Sequence, residues 1–283
     1  MIRSFKYRSG AAALRSLSEG TVYFASPTEL NDSLEAKFDM ESTSQFIDVL
    51  TEAFSEIARQ RGISRYSFDQ SGFDEIDLGH TEECKHFKEA SRKVGIFSTA
   101  ARPDNQPMWA YYCENSAGVC LELEWSDELF REHQLWLSPV RYTTEARLHN
   151  RADDLRKLLL ELSVQHPDWT VAQIKEFSLT ESFRRRWGIE SLARAVSQKH
   201  ADWQHESELR ILAPLSGPKR IIRDALKRIF FVRTDFAEWG PIMKLLHKQY
   251  PDVEIAKIAF DHKDTYVTVQ DCETRLVPLN PAG

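Results

Sequence analysis

Long apolar runs are missing from this sequence. No stretch approaches the roughly 18 residues that a bilayer-spanning helix needs. The longest compact run, Arg228 to Val232, has the length of one strand. Glycine and proline are sparse, 11 of each in 283 residues, which excludes collagen-like and low-complexity chains. There are only four cysteines, Cys84, Cys113, Cys120 and Cys272, and no two stand as C-x-x-C. Neither a disulfide framework nor a zinc module is expected from them. An excess of basic charge is also missing: the net charge of -6 argues against wholesale coating of nucleic acid. The chain has no phosphate loop, no G-x-G-x-x-G, no G-x-S-x-G and no H-E-x-x-H. His80-x3-Cys84-x-His86 and His200-x4-His205-Glu206 hold ligand types without a matching second pair, so no metal is expected. Met1 to Tyr7 lacks the apolar core of a leader and reads as a strand, which points to the cytoplasm.

What is present suits a folded core. Hydrophobic residues make up 42% and aromatic ones 11%. Phe5 and Tyr7 alternate with Lys6 and Arg8, a strand pattern, and Val119, Leu121 and Leu123 alternate with Cys120, Glu122 and Glu124. Ser42-x-x-Gln45 is a capping-box signal, and behind it Phe46, Leu50, Ala53, Phe54 and Ile57 repeat at helical spacing. Residues 150 to 200 read as helices with breaks near Pro167 and Gly188. Strands return at Glu208 to Leu212, Arg228 to Val232, Val253 to Phe260 and Thr265 to Val269. Helices and strands do not alternate regularly. The expected fold is α+β with a mostly antiparallel central sheet of about six strands. One domain over 1–283 is expected, with residues 143–200 as a helical insert within it.

Four segments carry candidate chemistry. In Trp203-Gln-His-Glu206-Ser-Glu208-Leu-Arg210, strand alternation puts Glu206, Glu208 and Arg210 on one face. Paired carboxylates of this kind suit acid–base work, and they also suit an ion-pair ladder on a solvated strand. Tyr7-Arg8 ends the first strand, where a guanidinium either meets solvent or grips a phosphate. Asn31-Asp32 after Ser26-Pro27 is a turn or a ribose-holding pair. Met108-Trp109-Ala-Tyr111-Tyr112 packs three rings into four residues, so one of them is available to cover a planar ligand.

Taken together, these blocks resemble the bacterial "domain of unknown function 2971" family over nearly the whole chain. The shared pattern is Tyr7-Arg8, Gly20-x-Val22-Tyr23-Phe24-x-Ser26-Pro27-x3-Asn31-Asp32, Met108-Trp109-x2-Tyr112, Gly118-Val119-Cys120 and Trp203-x2-Glu206-x-Glu208-x-Arg210. Ser33-Leu34 replaces the family's usual Pro and Phe, and Tyr111 and Ser116 replace its usual histidines. The block order is more remotely similar to ADP-ribosyltransferase-like toxins. That similarity implies an NAD-dependent ADP-ribosyltransferase-like protein, a bacterial defence or toxin component, with NAD as substrate and a nucleic-acid or protein acceptor. It implies Glu208 and Glu206 as catalytic residues. Tyr7, Arg8, Asn31, Asp32, Trp109, Tyr112 and Arg210 would bind the nucleotide, with Arg8 and Glu208 across one cleft. Two other readings stay open: a non-catalytic nucleotide or nucleic-acid binding module, and a metal-dependent nuclease.

Overall fold

The computed structural model describes residues 1–32, 36–69, 71, 73, 80–144, 148–260 and 267–271, with 80–84, 148 and 267–271 as backbone. In chain order the elements are β1 (Ile2–Ser9), α1 (Gly10–Glu19), β2 (Val22–Phe24), β3 (Asp39–Met40), α2 (Thr43–Gln60), α3 (His80–Lys93), β4 (Gly95–Ala100), α4 (Gln106–Tyr112), β5 (Gly118–Trp125), α5 (Asp127–Glu132), β6 (Trp136–Pro139) and β7 (Arg141–Thr143). They continue as β8 (Leu148–His149), α6 (Arg151–Gln165), α7 (Val171–Ser178), α8 (Glu181–Ala195), β9 (Gln198–His200), β10 (Glu208–Ala213), β11 (Gly217–Lys219), α9 (Ile222–Ala225), β12 (Leu226–Phe231), α10 (Trp239–Gln249), β13 (Glu254–Phe260) and β14 (Val267–Asp271). These elements divide into two compact units. Unit 1 comprises Met1–Ser26, Gly95–Val140 and Asp202–Gly283; unit 2 comprises Pro27–Val94 and Arg141–Ala201.

Unit 1 is built on an eight-stranded sheet in the order β14-β13-β12-β5-β1-β4-β10-β6. Its pairings are antiparallel except β12 with β13. The sheet is wider than the six strands expected, because Trp136–Pro139, without an alternating pattern, adds an edge strand against β10. Val22–Phe24 leaves it and pairs with β11 instead. One face of the sheet packs with α1 and α10 around Leu17, Phe24, Leu121, Trp125, Ile211 and Ile242. Burial of each such side chain contributes about 1.5–3 kcal/mol. The other face carries Tyr7, Met108, Trp109, Cys120, Phe230 and Ile258.

The register decides which side chain lies on which face. Residues directly opposite in an antiparallel pair share a face. Lys6 and Arg8 lie opposite Leu121 and Val119, so they belong to the α1 face. Lys6 confirms this, with its Nζ 5.0 Å over the Phe97 ring. Phe5 lies opposite Ala100, and Ala100 and Ser98 lie opposite Glu208 and Arg210. Glu208 and Arg210 therefore share the face of Phe5 and Tyr7.

Unit 2 has a core of its own. The apolar stripe of α2 (Phe46, Leu50, Phe54, Ile57) packs on that of α6 (Leu155, Leu158, Leu159, Leu162), with Ile174, Phe183 and Trp187 closing it. The capping box at Ser42 and Gln45 forms as the sequence predicts. Residues 141–201 thus group in one compact unit with residues 27–94. They need residues 27–94 to bury their apolar faces, and periodicity shows a stripe without naming its partner. The expected break at Gly188 is absent. Gly188 lies inside α8, and the interruption falls earlier, where Thr180 caps Phe183. Beyond the apolar core, unit 2 buries a polar centre. His149 Nε2 lies 2.9 Å from Ser191 Oγ and 3.6 Å from Asp154 Oδ2, while Arg194 pairs with Asp154 Oδ1. Burial pulls the His149 imidazole down to about 4, helped by the charges of Arg151 and Arg194. Burial lifts the Asp154 carboxyl to about 6, against the pull of Arg194.

Candidate functional site

The chemistry-bearing residues of unit 1 collect where β10 begins. Glu208 and Arg210, two apart on the strand, point the same way. Arg210 is fully buried and donates to Glu208 through two bonds, Nε to Oε1 at 2.9 Å and Nη2 to Oε2 at 3.2 Å. A fork of this kind fixes the carboxylate in one rotamer and offsets the cost of burying both charges.

Glu206 does not share the strand alternation expected of it. Ala201–Glu206 form a 3-10 turn, and Ser207 takes a left-handed φ of 46° before β10 starts. That one residue breaks the period-two pattern, so Glu206 faces a different neighbour. Its Oε1 accepts from the Tyr112 hydroxyl at 2.5 Å. Glu206 and Glu208 are 3% and 7% exposed, so both are buried carboxylates with separate fixed partners.

Tyr7 and Trp109 are scaffold rather than lining. Trp109 is fully buried, donates Nε1 to Pro103 O at 2.8 Å and meets the Tyr7 ring edge-on at 5.4 Å. Tyr7 donates to Arg102 O at 2.9 Å and accepts from Asn105 N at 3.1 Å. Burial pushes its hydroxyl far above the ordinary phenol range. Asn105 in turn donates Nδ2 to His205 O at 2.5 Å. A polar chain thus runs from β1 through Asn105 to the turn that carries Glu206. The ring left over from Trp109-Ala-Tyr111-Tyr112 is Tyr111, 72% exposed and 6.1 Å from the His205 ring, not Trp109.

Between α4 and β5, Glu114, Asn115 and Ser116 are consecutively left-handed, with φ of 49°, 55° and 70°. Non-glycine residues there cost on the order of 1–3 kcal/mol each, and such strain concentrates at functional sites. Backbone bonds from Asn115 N to Ala110 O and from Ser116 N to Trp109 O hold the turn. It delivers the chain to Gly118, whose missing Cβ would collide with the Arg8 carbonyl. The sequence carries only the spacing of Asn115 and Gly118 as a signal for this turn.

Arg8 is not brought to Glu208. Three residues along β1 and two strands across put their backbones ~14 Å apart, with side chains on opposite faces. Asn31 and Asp32 belong to unit 2, following the 3-10 turn Pro27–Glu29. Among the described residues no three His, Cys, Asp or Glu side chains gather as a metal site would require, so the nuclease reading gains no support. Cys113 and Cys120 are free and buried, with burial raising both thiols, Cys113 to about 12. They are unreactive at neutral pH. Cys272 and the Cys84 side chain lie outside the described residues.

A family model described as "Protein of unknown function (DUF2971)" matches residues 108–211. The match covers 104 of the 283 residues, so the likeness to that family is a likeness of this segment. No curated protein and no solved structure matches the chain. The DUF2971 segment holds Tyr112, Glu206, Glu208 and Arg210 together with the left-handed turn. Tyr7, Arg8, Asn31 and Asp32 fall before it. No helix of the described residues is long and apolar enough to cross a membrane.

Proposed function

We propose that unit 1 is an ADP-ribosyltransferase-like module that consumes NAD, with Glu208 and Glu206 as its catalytic residues. The supporting observation is a pair of buried carboxylates two residues apart, one held by the Arg210 fork and one by the Tyr112 hydroxyl. Breaking the nicotinamide–ribose bond develops positive charge on the ribose. A carboxylate fixed in a water-poor setting stabilises that charge without reorganising. Glu208 has this role, because the Arg210 fork holds its carboxylate in one rotamer. Glu206 orients or deprotonates the acceptor, and Tyr112 holds its rotamer. Arg8 stands on the other face and takes no part in the reaction.

The test is nicotinamide release from NAD, read by chromatography, with and without cell extract as the acceptor source. Glu208→Gln keeps the shape and removes the charge, so turnover falls on the order of 10²–10³ while NAD affinity by calorimetry stays within a few-fold. Glu206→Gln spares hydrolysis to water more than transfer to an acceptor. Wild-type protein that neither binds NAD nor releases nicotinamide overturns the enzyme reading and leaves a binding module in its place.

A further inference from the structure

We propose that Tyr111, His205 and Trp203 form a docking surface on unit 1 that takes a basic protein segment, with its lysine and arginine side chains laid over the rings. The anomaly is a row of rings left open to water. Tyr111 is 72% exposed, more than any other Phe, Tyr or Trp among the described residues. Its ring lies 6.1 Å from that of His205, itself exposed, and the His205 ring lies 6.2 Å from that of Trp203, the two planes 28° apart. Tyr111 comes from the end of α4 and the other two from the 3-10 turn before β10, so the fold assembles the row. Exposed rings gathered in one place mark an interaction site rather than a core.

The row is held from beneath. His205 O accepts from Asn105 Nδ2, and His205 Nδ1 lies 3.0 Å from Asp202 O. Next to Tyr111, the Tyr112 hydroxyl donates to Glu206, and Asn115 N donates to Ala110 O at the end of α4. A surface fixed in this way loses little freedom when a partner covers it. Charge decides which partner. Residues 102–114 and 201–207 carry four carboxylates, Asp104, Glu114, Asp202 and Glu206, against the single guanidinium of Arg102, which lies 3.3 Å from Asp104. That excess of negative charge repels the phosphates of a nucleic acid and attracts a cation. The faces of tyrosine and tryptophan rings attract the same cations through their quadrupoles. A protein segment bearing several lysines or arginines suits the rings and the carboxylates together.

The experiment reads fluorescence anisotropy of short labelled peptides titrated with the full chain. No NAD is present, so this surface and the transferase reading fail separately. The peptides alternate glycine with arginine, with lysine or with glutamate, and a labelled single-stranded oligonucleotide is the fourth probe. Wild-type protein binds the arginine and lysine peptides, more weakly as salt is raised, and prefers both to the other two probes. Tyr111→Ser weakens binding of the basic peptides about 5- to 10-fold, and Tyr111→Phe, which keeps the ring face, stays within about two-fold of wild type. Should Tyr111→Ser fail to fold, the same loss is read from His205→Ser. Tyr23→Ser, which removes an exposed ring elsewhere on unit 1, leaves the affinity unchanged. Failure to bind either basic peptide overturns the proposal, as does equal or tighter binding of the glutamate peptide or the oligonucleotide. A Tyr111→Ser variant with wild-type affinity overturns it as well.

Discussion

The polar centre of unit 2 makes a quantitative prediction about pH. His149 and Asp154 are 2% and 3% exposed, and their pKa values move in opposite directions. His149 titrates at about 4 when folded and near 6.5 when unfolded. Between those values the unfolded chain holds the extra proton, so stability is lost as pH falls from 6.5 to 4, by about 3 kcal/mol. Asp154 titrates at about 6 when folded and near 3.8 when unfolded. Here the folded chain holds the extra proton, so stability is gained as pH falls from 6 to 4, again by about 3 kcal/mol. The two groups lie 3.6 Å apart and titrate as a pair, and their opposed effects offset each other. The perturbation is to remove one arm. In urea melts from pH 7.5 to 4, His149→Gln should gain on wild type by about 3 kcal/mol as the pH falls through the histidine window. Asp154→Asn should lose by a similar amount against wild type over its own window. Taking differences removes every other titrating group from the comparison. A His149→Gln minus wild-type difference that stays flat within about 1 kcal/mol from pH 6.5 to 4 would refute the reasoning.

Arg210→Met strands the buried Glu208 charge and should cost about 3–5 kcal/mol, while the double variant Glu208→Gln/Arg210→Met should recover most of it in the same urea melts. Gly118→Ala drives a Cβ into the Arg8 carbonyl and should destabilise by about 2 kcal/mol or more, read as a lowered Tm. Gly188→Ala, a helix-interior position with nothing within 4 Å of the new methyl, should instead stabilise by about 0.5–1 kcal/mol. Leu50→Ala opens the α2–α6 core and should cost about 2–5 kcal/mol.

The sequence by itself determined what short-range physics can settle. Period-two alternation placed β1, β5 and β10, because a pleated strand exposes its two faces residue by residue, and a compact apolar run placed β12. The apolar stripe behind Ser42 placed α2, and the capping box fixed its start. Leu209 and Ile211 against Glu208 and Arg210 gave the two faces of β10 correctly. Glu206 was misread because the positive φ of Ser207 belongs to a turn that no side-chain pattern announces. Tertiary structure alone decided the rest. A stripe of leucines on α6 needs a partner, and only the fold shows that the partner is α2. Strand order and register set which face of the sheet each residue joins. A single pair, Phe5↔Ala100, sends Arg8 to one face and Glu208 to the other. Two residues that look like one site in a linear motif are separated by the thickness of a sheet, because pairing partners are chosen by long-range packing and not by the residues next in the chain.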